Sequence, residues 1–331
     1  MLPIASAALA VAPSVSAQTA PRTGGSGSQV RPLDEELTTP RAAALGGRAE
    51  AGGASTTALF ANPAGAASMR TYHVDSYGLY DPTTGRFGVG TGVMDSTRAM
   101  VSGGLAYSFH SINTAAVQRS SHDVRLVAAL NMGQKAALGA RLRYLNISGT
   151  PFAAQSAPES QGLQSNAWGG VTLDLGLHVH PIREFAFSIT GLNLNNVDTV
   201  AAPISMGGGV MVSPIRELTF VADVLMDFRS TNAIRGRYSG GAELFIASRY
   251  AIRAGYLFDD TRGGSQAVTF GAGYLDTSFG VELSLRQAII PDMQSTLMLS
   301  VRYFYQAAAT QAAQQAQAAQ TESSGENTSA R

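Results

Sequence analysis

Alternation of apolar with small or polar residues dominates residues 71–305. The segment 167–180 is the clearest case. Its apolar positions are Val171, Leu173, Leu175, Leu177 and Val179. The polar or small residues between and after them are Thr172, Asp174, Gly176, His178 and His180. A period of two is typical of a β-strand whose two faces meet different surroundings. The pattern therefore predicts an all-β fold for this part of the chain.

Fourteen such segments follow one another along the chain. They lie at 71–80, 85–94, 98–110, 122–132, 135–147, 167–180, 184–194, 203–213, 217–229, 236–247, 249–259, 266–275, 277–287 and 295–305. Each strand with its connection occupies about 17 residues, which suits antiparallel strands of about ten residues. Tyr77 and Leu79 interrupt the alternation in the first segment, and glycines dilute the second.

The connections between these segments alternate in length along the chain. The even-numbered connections are tight, for example Gly133-Gln134 and Pro181-Ile182-Arg183, whereas several odd-numbered ones are longer, such as 147–166 and 195–202. Short turns on one side and longer loops on the other are typical of a closed transmembrane barrel. We therefore predict a 14-stranded antiparallel transmembrane β-barrel over residues 71–305.

Charge decides which face of this barrel points outward. Charged residues make up 14% of the chain, below the roughly 25% of ordinary soluble proteins, so they cannot coat so much sheet. The apolar face is therefore predicted to contact lipid and the polar face to line the lumen. No apolar run reaches the length of a spanning helix.

Composition also excludes several classes of partner and chemistry. Lys plus Arg and Asp plus Glu are both 23, so bulk electrostatic binding to nucleic acid is not expected. The chain has no cysteine, which excludes disulfides, thiolate metal sites and cysteine nucleophiles. We find no nucleophile signature such as GxSxG, and Gly88–Gly92 lies in a strand without the Lys-Ser/Thr pair of a phosphate loop. No enzyme activity or cofactor is predicted.

The two ends of the chain differ from its middle. Residues 1–17 are predicted to be a signal peptide, because a short apolar stretch precedes the small residues Val15-Ser16-Ala17. Residues 18–40 are interpreted as a flexible leader and residues 41–70 as short helix and turns. The segment 306–331 is a low-complexity tail rich in Ala and Gln, which contains no apolar stripe.

Short motifs in a fixed order resemble a known family. GGRA at 46–49 with ALFANPAG at 58–65, GLNLNN at 191–196, and YAIRAGYLFDD before VTFGAGY in 250–274 are similar to FadL-like outer-membrane proteins. That family includes long-chain fatty-acid transporters and the secretion-associated PorV/PorQ-like barrels. The resemblance implies fourteen strands and an N-terminal hatch, here residues 41–70, that enters the lumen. It also implies that Asn62, Pro63 and Ala64 lie in the hatch as its gate.

Charged residues of the polar parity are candidates for a lumen network. They are Arg141, Arg143, Asp174, Asp223, Asp227, Arg237, Glu243, Arg253, Glu282, Arg286 and Arg302. Opposite charges on neighbouring strands form ladders across a barrel interior, which would either pack the lumen, line a polar channel or hold the hatch. His178 and His180 share a strand face, but no further ligands lie nearby in the sequence, so no metal site is predicted.

The sequence thus predicts an integral protein of a Gram-negative outer membrane. Its predicted function, which the resemblance implies, is passive transport of small hydrophobic molecules, with membrane lipid and such a solute as its partners. The alternative is a non-transporting scaffold of a secretion or cell-surface complex, which would bind its partner through the tail.

Overall fold

The computed structural model describes residues 38–53, 55–97, 100–113, 118–133, 135–149, 168–197, 199, 202–229, 233–290 and 293–305. Fourteen antiparallel strands pair in chain order, and β1 closes the barrel by pairing with β14. The predicted fold class is therefore confirmed. No helix among these residues is long and apolar enough to cross a membrane. The predicted signal peptide and the tail lie outside the described residues.

The strands agree closely with the predicted segments. They are β1 Tyr72–Asp81, β2 Arg86–Asp95, β3 Val101–Asn113, β4 Gln118–Asn131, β5 Ala136–Gly149, β6 Trp168–Ile182, β7 Phe185–Leu192, β8 Ser205–Ile215, β9 Leu218–Asp227, β10 Arg235–Ile246, β11 Tyr250–Asp259, β12 Ser265–Leu275, β13 Phe279–Ile290 and β14 Ser295–Phe304. The largest difference is β4, which begins four residues early. Its first residues are polar and hide the alternation, but they still pair with β5, as Ser120 does with Ser148.

The two faces of the wall follow the predicted alternation. On β6, Leu175 is 49% exposed on the outer surface, whereas Thr172 and Asp174 are buried in the lumen. Tyr77 and Leu79, which interrupt the pattern of β1, also point inward and pack against the contents of the lumen. The interruption therefore marks a place where the lumen is apolar.

The two ends of the barrel can be told apart by their connections. We call the end where β1 starts and β14 finishes the terminal rim, and the opposite end the loop rim. Turns at the terminal rim are as short as 183–184 and 216–217, whereas the connections 150–167 and 193–204 belong to the loop rim. This is the parity predicted from the sequence.

Two turns at the terminal rim share one irregularity. The register between β6 and β7 shifts between Val179 and Ile182, and the register between β8 and β9 shifts between Val212 and Ile215. Each shift contains a proline, Pro181 in the first case and Pro214 in the second. Proline has no N–H to donate to the strand ladder, so the pairing is interrupted there.

An N-terminal segment with short helices precedes β1 and lies inside the barrel. It contains the helix α1 (Pro40–Ala44) and two 3-10 helices, Ser55–Leu59 and Pro63–Ala67. Thr39 caps α1 by accepting a hydrogen bond from the backbone N–H of Ala42. Residues 68–70 of the predicted hatch (41–70) are exposed, so from here on the hatch means residues 38–67, divided into a first half (38–53) and a second half (55–67).

Candidate functional site

The hatch touches every strand of the barrel. The first half contacts β11–β14 through α1, and the second half contacts β1–β6 through its two 3-10 helices. Between them, Glu50 meets β7 and β8 by accepting a hydrogen bond from Thr190 and by packing against Gly207 and Gly209. The candidate site is therefore the hatch together with the lumen residues that hold it.

Ion pairs fix the first half to the wall. The guanidinium of Arg41 donates to both carboxylate oxygens of Glu243, at 2.9 Å from Nε and 2.7 Å from Nη2. Burial lowers the pKa of Arg41, but attraction to Glu243 and these hydrogen bonds outweigh burial and raise its pKa above the ordinary value. Arg41 therefore remains charged, and it needs the carboxylate as its counter-charge.

Glu243 belongs to a chain of alternating charges contributed by five strands, β10, β11, β13, β14 and β1. Arg253 pairs with Glu243 at 2.5 Å and with Glu282 at 2.8 Å. Arg302 continues the chain, since it lies 3.2 Å from Glu282 and 2.8 Å from Asp75. All of these side chains are nearly inaccessible to solvent. The dielectric constant around them is therefore low, which strengthens the ion pairs that hold the hatch.

A second carboxylate holds the end of the first half. Asp223 accepts hydrogen bonds from the backbone N–H groups of Ala49 (3.0 Å) and Glu50 (2.9 Å). The backbone at Ala49 has a φ of 53°, so it adopts the left-handed conformation that directs these two N–H groups to one acceptor. Arg48 lies 2.5 Å from Glu50 and neutralises its charge.

The second half of the hatch has no charged residue. Polar contacts reach it from the wall instead, since Arg141 donates to the backbone carbonyls of Leu59 (3.1 Å) and Ala61 (3.0 Å). Thr56 donates to Asp75 at 2.6 Å, and the hydroxyl of Ser55 lies 2.6 Å from Nε2 of His73. The wall thus holds the second half through hydrogen bonds to its side chains and carbonyls, without an ion pair to it.

Asn62, Pro63 and Ala64, the predicted gate, press against the wall at β5 and β6. The side chain of Asn62 accepts from the N–H of Ala64 (2.9 Å) and donates to the carbonyl of Leu177 (2.9 Å). A Cβ at Gly139 would overlap the backbone of Pro63 and Ala64, and a Cβ at Gly176 would overlap the amide of Asn62. Two wall glycines therefore make room for these residues.

Apolar side chains form a continuous cluster along the lumen beside the second half, which we call the apolar track. Near the loop rim it begins with Leu79 and Met298, and near the terminal rim it ends with Met94 and Ala129. Phe60 of the hatch lies in between, with its ring edge-on to Tyr77 at 5.5 Å between centroids. The track therefore runs past the hatch from the loop-rim end of the lumen to the terminal-rim end.

The structure places the predicted lumen charges as follows. Arg141, Arg143, Asp174, Arg237, Glu243, Arg253, Glu282 and Arg302 are buried in the lumen, and Asp223, Asp227 and Arg286 are half-buried. Besides the contacts described above, Arg141 pairs with Asp174 at 2.6 Å and Arg237 with Asp259 at 3.2 Å. Asp227 ends β9 near the loop rim, where it accepts a hydrogen bond from the backbone N–H of Arg229 at 2.9 Å.

Several residues of this network were missed by sequence reasoning. Arg41 and Glu50 lie in the hatch, and Asp75, Asp123 and Arg125 lie on the wall, where Arg125 binds Asp123 and the carbonyl of Leu59. The three wall residues occupy inward positions of strands, so the alternation was a signal for them. His178 and His180 stack at 5.6 Å between ring centroids, and within the described ranges no group of three metal-ligating side chains occurs.

Comparison with known proteins shows the fold. No family model matches the sequence, and no curated protein matches it significantly. Among solved structures, the monoaromatic hydrocarbon channel CymD aligns with a TM-score of 0.61 and 13% identity, covering 81% of this chain and 97% of CymD. The toluene transporter TbuX of Ralstonia pickettii gives 0.59 and 13%, covering 82% of this chain and 99% of TbuX.

A FadL homologue of Pseudomonas aeruginosa gives a TM-score of 0.56 and 12% identity, covering 81% of this chain and 98% of the homologue. These alignments span the barrel and most of the chain, whereas the identities are too low to carry over any residue role. The chain therefore has the fold of the FadL-type barrels, as its sequence resemblance predicted.

Proposed function

We propose that this protein lets small hydrophobic molecules pass across an outer membrane without an energy source. The observation that carries the proposal is the apolar track, which crosses the hatch from Leu79 and Met298 to Met94 and Ala129. A hydrophobic solute that leaves water for such a surface gains about 25 cal/mol for each Å² of apolar area that it buries. Because the residues of the track are packed against one another, a solute buries this area when it displaces the second half of the hatch.

A location in a membrane is supported by the outer surface of the barrel. Large apolar side chains cover it, and many are about half exposed, as Leu126 (55%), Ile252 (53%) and Leu299 (49%) are. A water-soluble protein rarely exposes more than a few hundred Å² of contiguous apolar surface. Closure of the sheet also satisfies the backbone without water, which hydrocarbon requires.

The hatch favours passage of apolar solutes over free flow of ions. It contacts all sides of the lumen, and nearly all its residues are buried. The first half joins the ionic network through its own charged residues, whereas the second half is uncharged and lies beside the track. We therefore assign Asn62, Pro63 and Ala64 to the part of the hatch that moves during passage, and the charged wall residues to the part that holds it.

The experiment is a flux measurement with the full chain in lipid vesicles. Uptake of a fluorescent fatty acid and of a small aromatic hydrocarbon is compared with uptake by empty vesicles and by vesicles containing the variant Phe60→Asp. We expect saturable uptake above the empty vesicles and its loss in the variant, because a buried carboxylate interrupts the track. Uptake equal to that of empty vesicles would exclude transport of these solutes.

The scaffold alternative depends on the tail, residues 306–331, which lies outside the described residues. Its test is recovery of stable partners from outer membranes with the full chain and with a chain that ends at Tyr305. A partner lost with the tail, together with absence of flux, would favour the scaffold function.

A further inference from the structure

Two histidines lie together on the lumen face of β6, near the terminal rim. His178 and His180 are two residues apart, and because side chains of a strand alternate between its faces, both rings lie on the same face. Their ring centroids are 5.6 Å apart, and the ring planes are inclined by 39°. Zinc binds imidazole nitrogen at about 2.0–2.1 Å, so one ion between the two rings can reach a nitrogen of each.

His178 carries a buried polar atom that makes no hydrogen bond with the wall or the hatch. The residue is 5% exposed, and its Nδ1 has no hydrogen-bond partner among the described residues. Ser188 lies directly opposite on β7, is buried as well, and its hydroxyl likewise has no partner in the part of the chain that the structure describes. Buried polar atoms are nearly always paired, and a bound ion is one explanation for an exception.

A metal ion accounts for both of these unpaired atoms. A histidine that binds a metal through one ring nitrogen donates the N–H of the other nitrogen to an oxygen, which fixes the orientation of the ring. With Nε2 of His178 on the ion, Nδ1 carries the proton, and the hydroxyl of Ser188 is an acceptor of the kind that this proton requires. Residues directly opposite on antiparallel strands have Cβ atoms about 4.5–5.5 Å apart, so a small turn of the ring closes this hydrogen bond.

The ligands decide which kind of ion the site takes. Neutral imidazole suits Cu²⁺, Ni²⁺ and Zn²⁺, of which Cu²⁺ binds most tightly, whereas Mg²⁺ and Ca²⁺ prefer oxygen ligands. Within the described ranges, no Asp, Glu or further His joins the pair to make a group of three. The remaining coordination positions therefore go to water or to an external ligand, which agrees with the tetragonal nitrogen and oxygen coordination of Cu²⁺.

We propose that His178 and His180 form a binding site for a divalent transition-metal ion, with Cu²⁺ bound most tightly, and that Ser188 orients the ring of His178. The site lies between the hatch and the terminal rim, because Asn62 of the hatch donates to the carbonyl of Leu177, one residue before the pair. The inference concerns residues of the barrel wall and holds whether or not the protein transports a solute.

Titration with metal ions tests the proposal. The folded full chain, prepared in detergent without a polyhistidine tag, is titrated with Cu²⁺, Zn²⁺ and Mg²⁺ near neutral pH, where imidazole is free to bind a metal. The variants are His178→Gln and His180→Gln. The matched control is His122→Gln, because His122 is exposed on the outer face of β4, where Nδ1 of its ring lies 2.9 Å from the hydroxyl of Tyr107. Heat-dependent mobility on a gel checks that each variant is folded.

We expect the unaltered chain to bind Cu²⁺ more tightly than Zn²⁺ and not to bind Mg²⁺. His178→Gln and His180→Gln should each weaken Cu²⁺ binding by about tenfold or more, whereas His122→Gln should leave it unchanged. Electron paramagnetic resonance of the bound Cu²⁺ should show coupling to two imidazole nitrogens, and loss of that pattern in the two variants. Absence of Cu²⁺ binding by the unaltered chain, or unchanged binding in both variants, would overturn the proposal.

If His178→Gln fails to fold, His180→Gln gives the answer alone, because His180 is only half-buried and lies close to the rim. Weaker Cu²⁺ binding by the folded His180→Gln variant, with the two-nitrogen coupling lost, supports the site. The affinity and the spectrum of the unaltered chain, both retained in this variant, overturn it.

Discussion

The two halves of the hatch are held in different ways, although they lie side by side in one lumen. The first half carries Arg41, Arg48 and Glu50, and it binds the wall through charges such as Glu243 and Asp223. The second half carries no charge, and it is held by wall arginines on its backbone carbonyls, by close fit and by apolar contacts.

This difference indicates which half of the hatch can move. A buried ion pair is directional, and separating it leaves a charge without its partner, which costs several kcal/mol. Apolar contacts are non-directional, and a hydrophobic solute can replace them. Under the proposed function, the first half is therefore the anchor of the hatch, and the second half is the part that a solute displaces.

Loss of a charge under the anchor should have the largest effect. We expect Glu243→Gln to lower the free energy of unfolding by about 3–5 kcal/mol, because Arg41 and Arg253 lose a shared buried counter-charge. Urea titration of the barrel in lipid vesicles measures this change.

The matched control for this variant is an exposed ion pair. Asp260 lies 3.5 Å from Arg235, and the two side chains are 43% and 35% exposed to solvent. Because water screens such a pair, Asp260→Asn should change the free energy of unfolding by less than about 1 kcal/mol. Similar losses for the two variants would contradict the anchoring role of Glu243.

Filling the space that Gly139 leaves for the second half should have an intermediate effect. A Cβ at Gly139 would overlap the backbone of Pro63 and Ala64, so Gly139→Ala should lower the free energy of unfolding by about 1–3 kcal/mol. It should also change hydrophobic flux, because the second half must shift. The same unfolding and vesicle assays report both effects.

Gly78→Ala is the control for this variant, since its Cβ would meet only the carbonyl of Gly88 at 3.9 Å. In a strand without such crowding, alanine should leave stability unchanged or raise it by about 0.5–1 kcal/mol. A stable Gly139→Ala variant with normal flux would show that the wall does not restrict the second half.

Removing the Asn62 side chain should have the smallest effect of the three. Asn62→Ala loses the cap on Ala64 and the hydrogen bond to the carbonyl of Leu177, which together should cost about 1–2 kcal/mol. Flux should rise because the second half is held less firmly. Ser68→Ala, at the exposed end of the same 3-10 helix, is the control, and flux lower than normal in Asn62→Ala would argue against a gate.

Much of the barrel could be predicted from the sequence because alternation records directly which face of a strand is buried. The exceptions have physical reasons. Tyr77 and Leu79 face an apolar hatch rather than water, so they break the polar parity. The start of β4 is polar on both faces near the loop rim, and hydropathy therefore could not locate it.

The contacts between the hatch and the barrel wall could be predicted only in part. The wall charges lie at inward positions that the alternation identifies, but their partners are far away in the sequence, as Arg41 is from Glu243 by 202 residues. The division into a charged and an uncharged half is visible in the sequence. Which strands each half meets depends on how the hatch sits in the closed barrel, and no local pattern encodes that.

The most direct test of a fixed first half and a movable second half ties the two together. The hydroxyls of Thr39 and Thr57 lie 2.9 Å apart across the two halves, and the chain has no other cysteine to interfere with Thr39→Cys/Thr57→Cys. Hydrophobic flux is measured in vesicles before oxidation, after it and after reduction, with Thr57→Cys alone as the control. We predict that the disulfide abolishes most of the flux and that reduction restores it; full flux with the disulfide intact would contradict a gate formed by the second half.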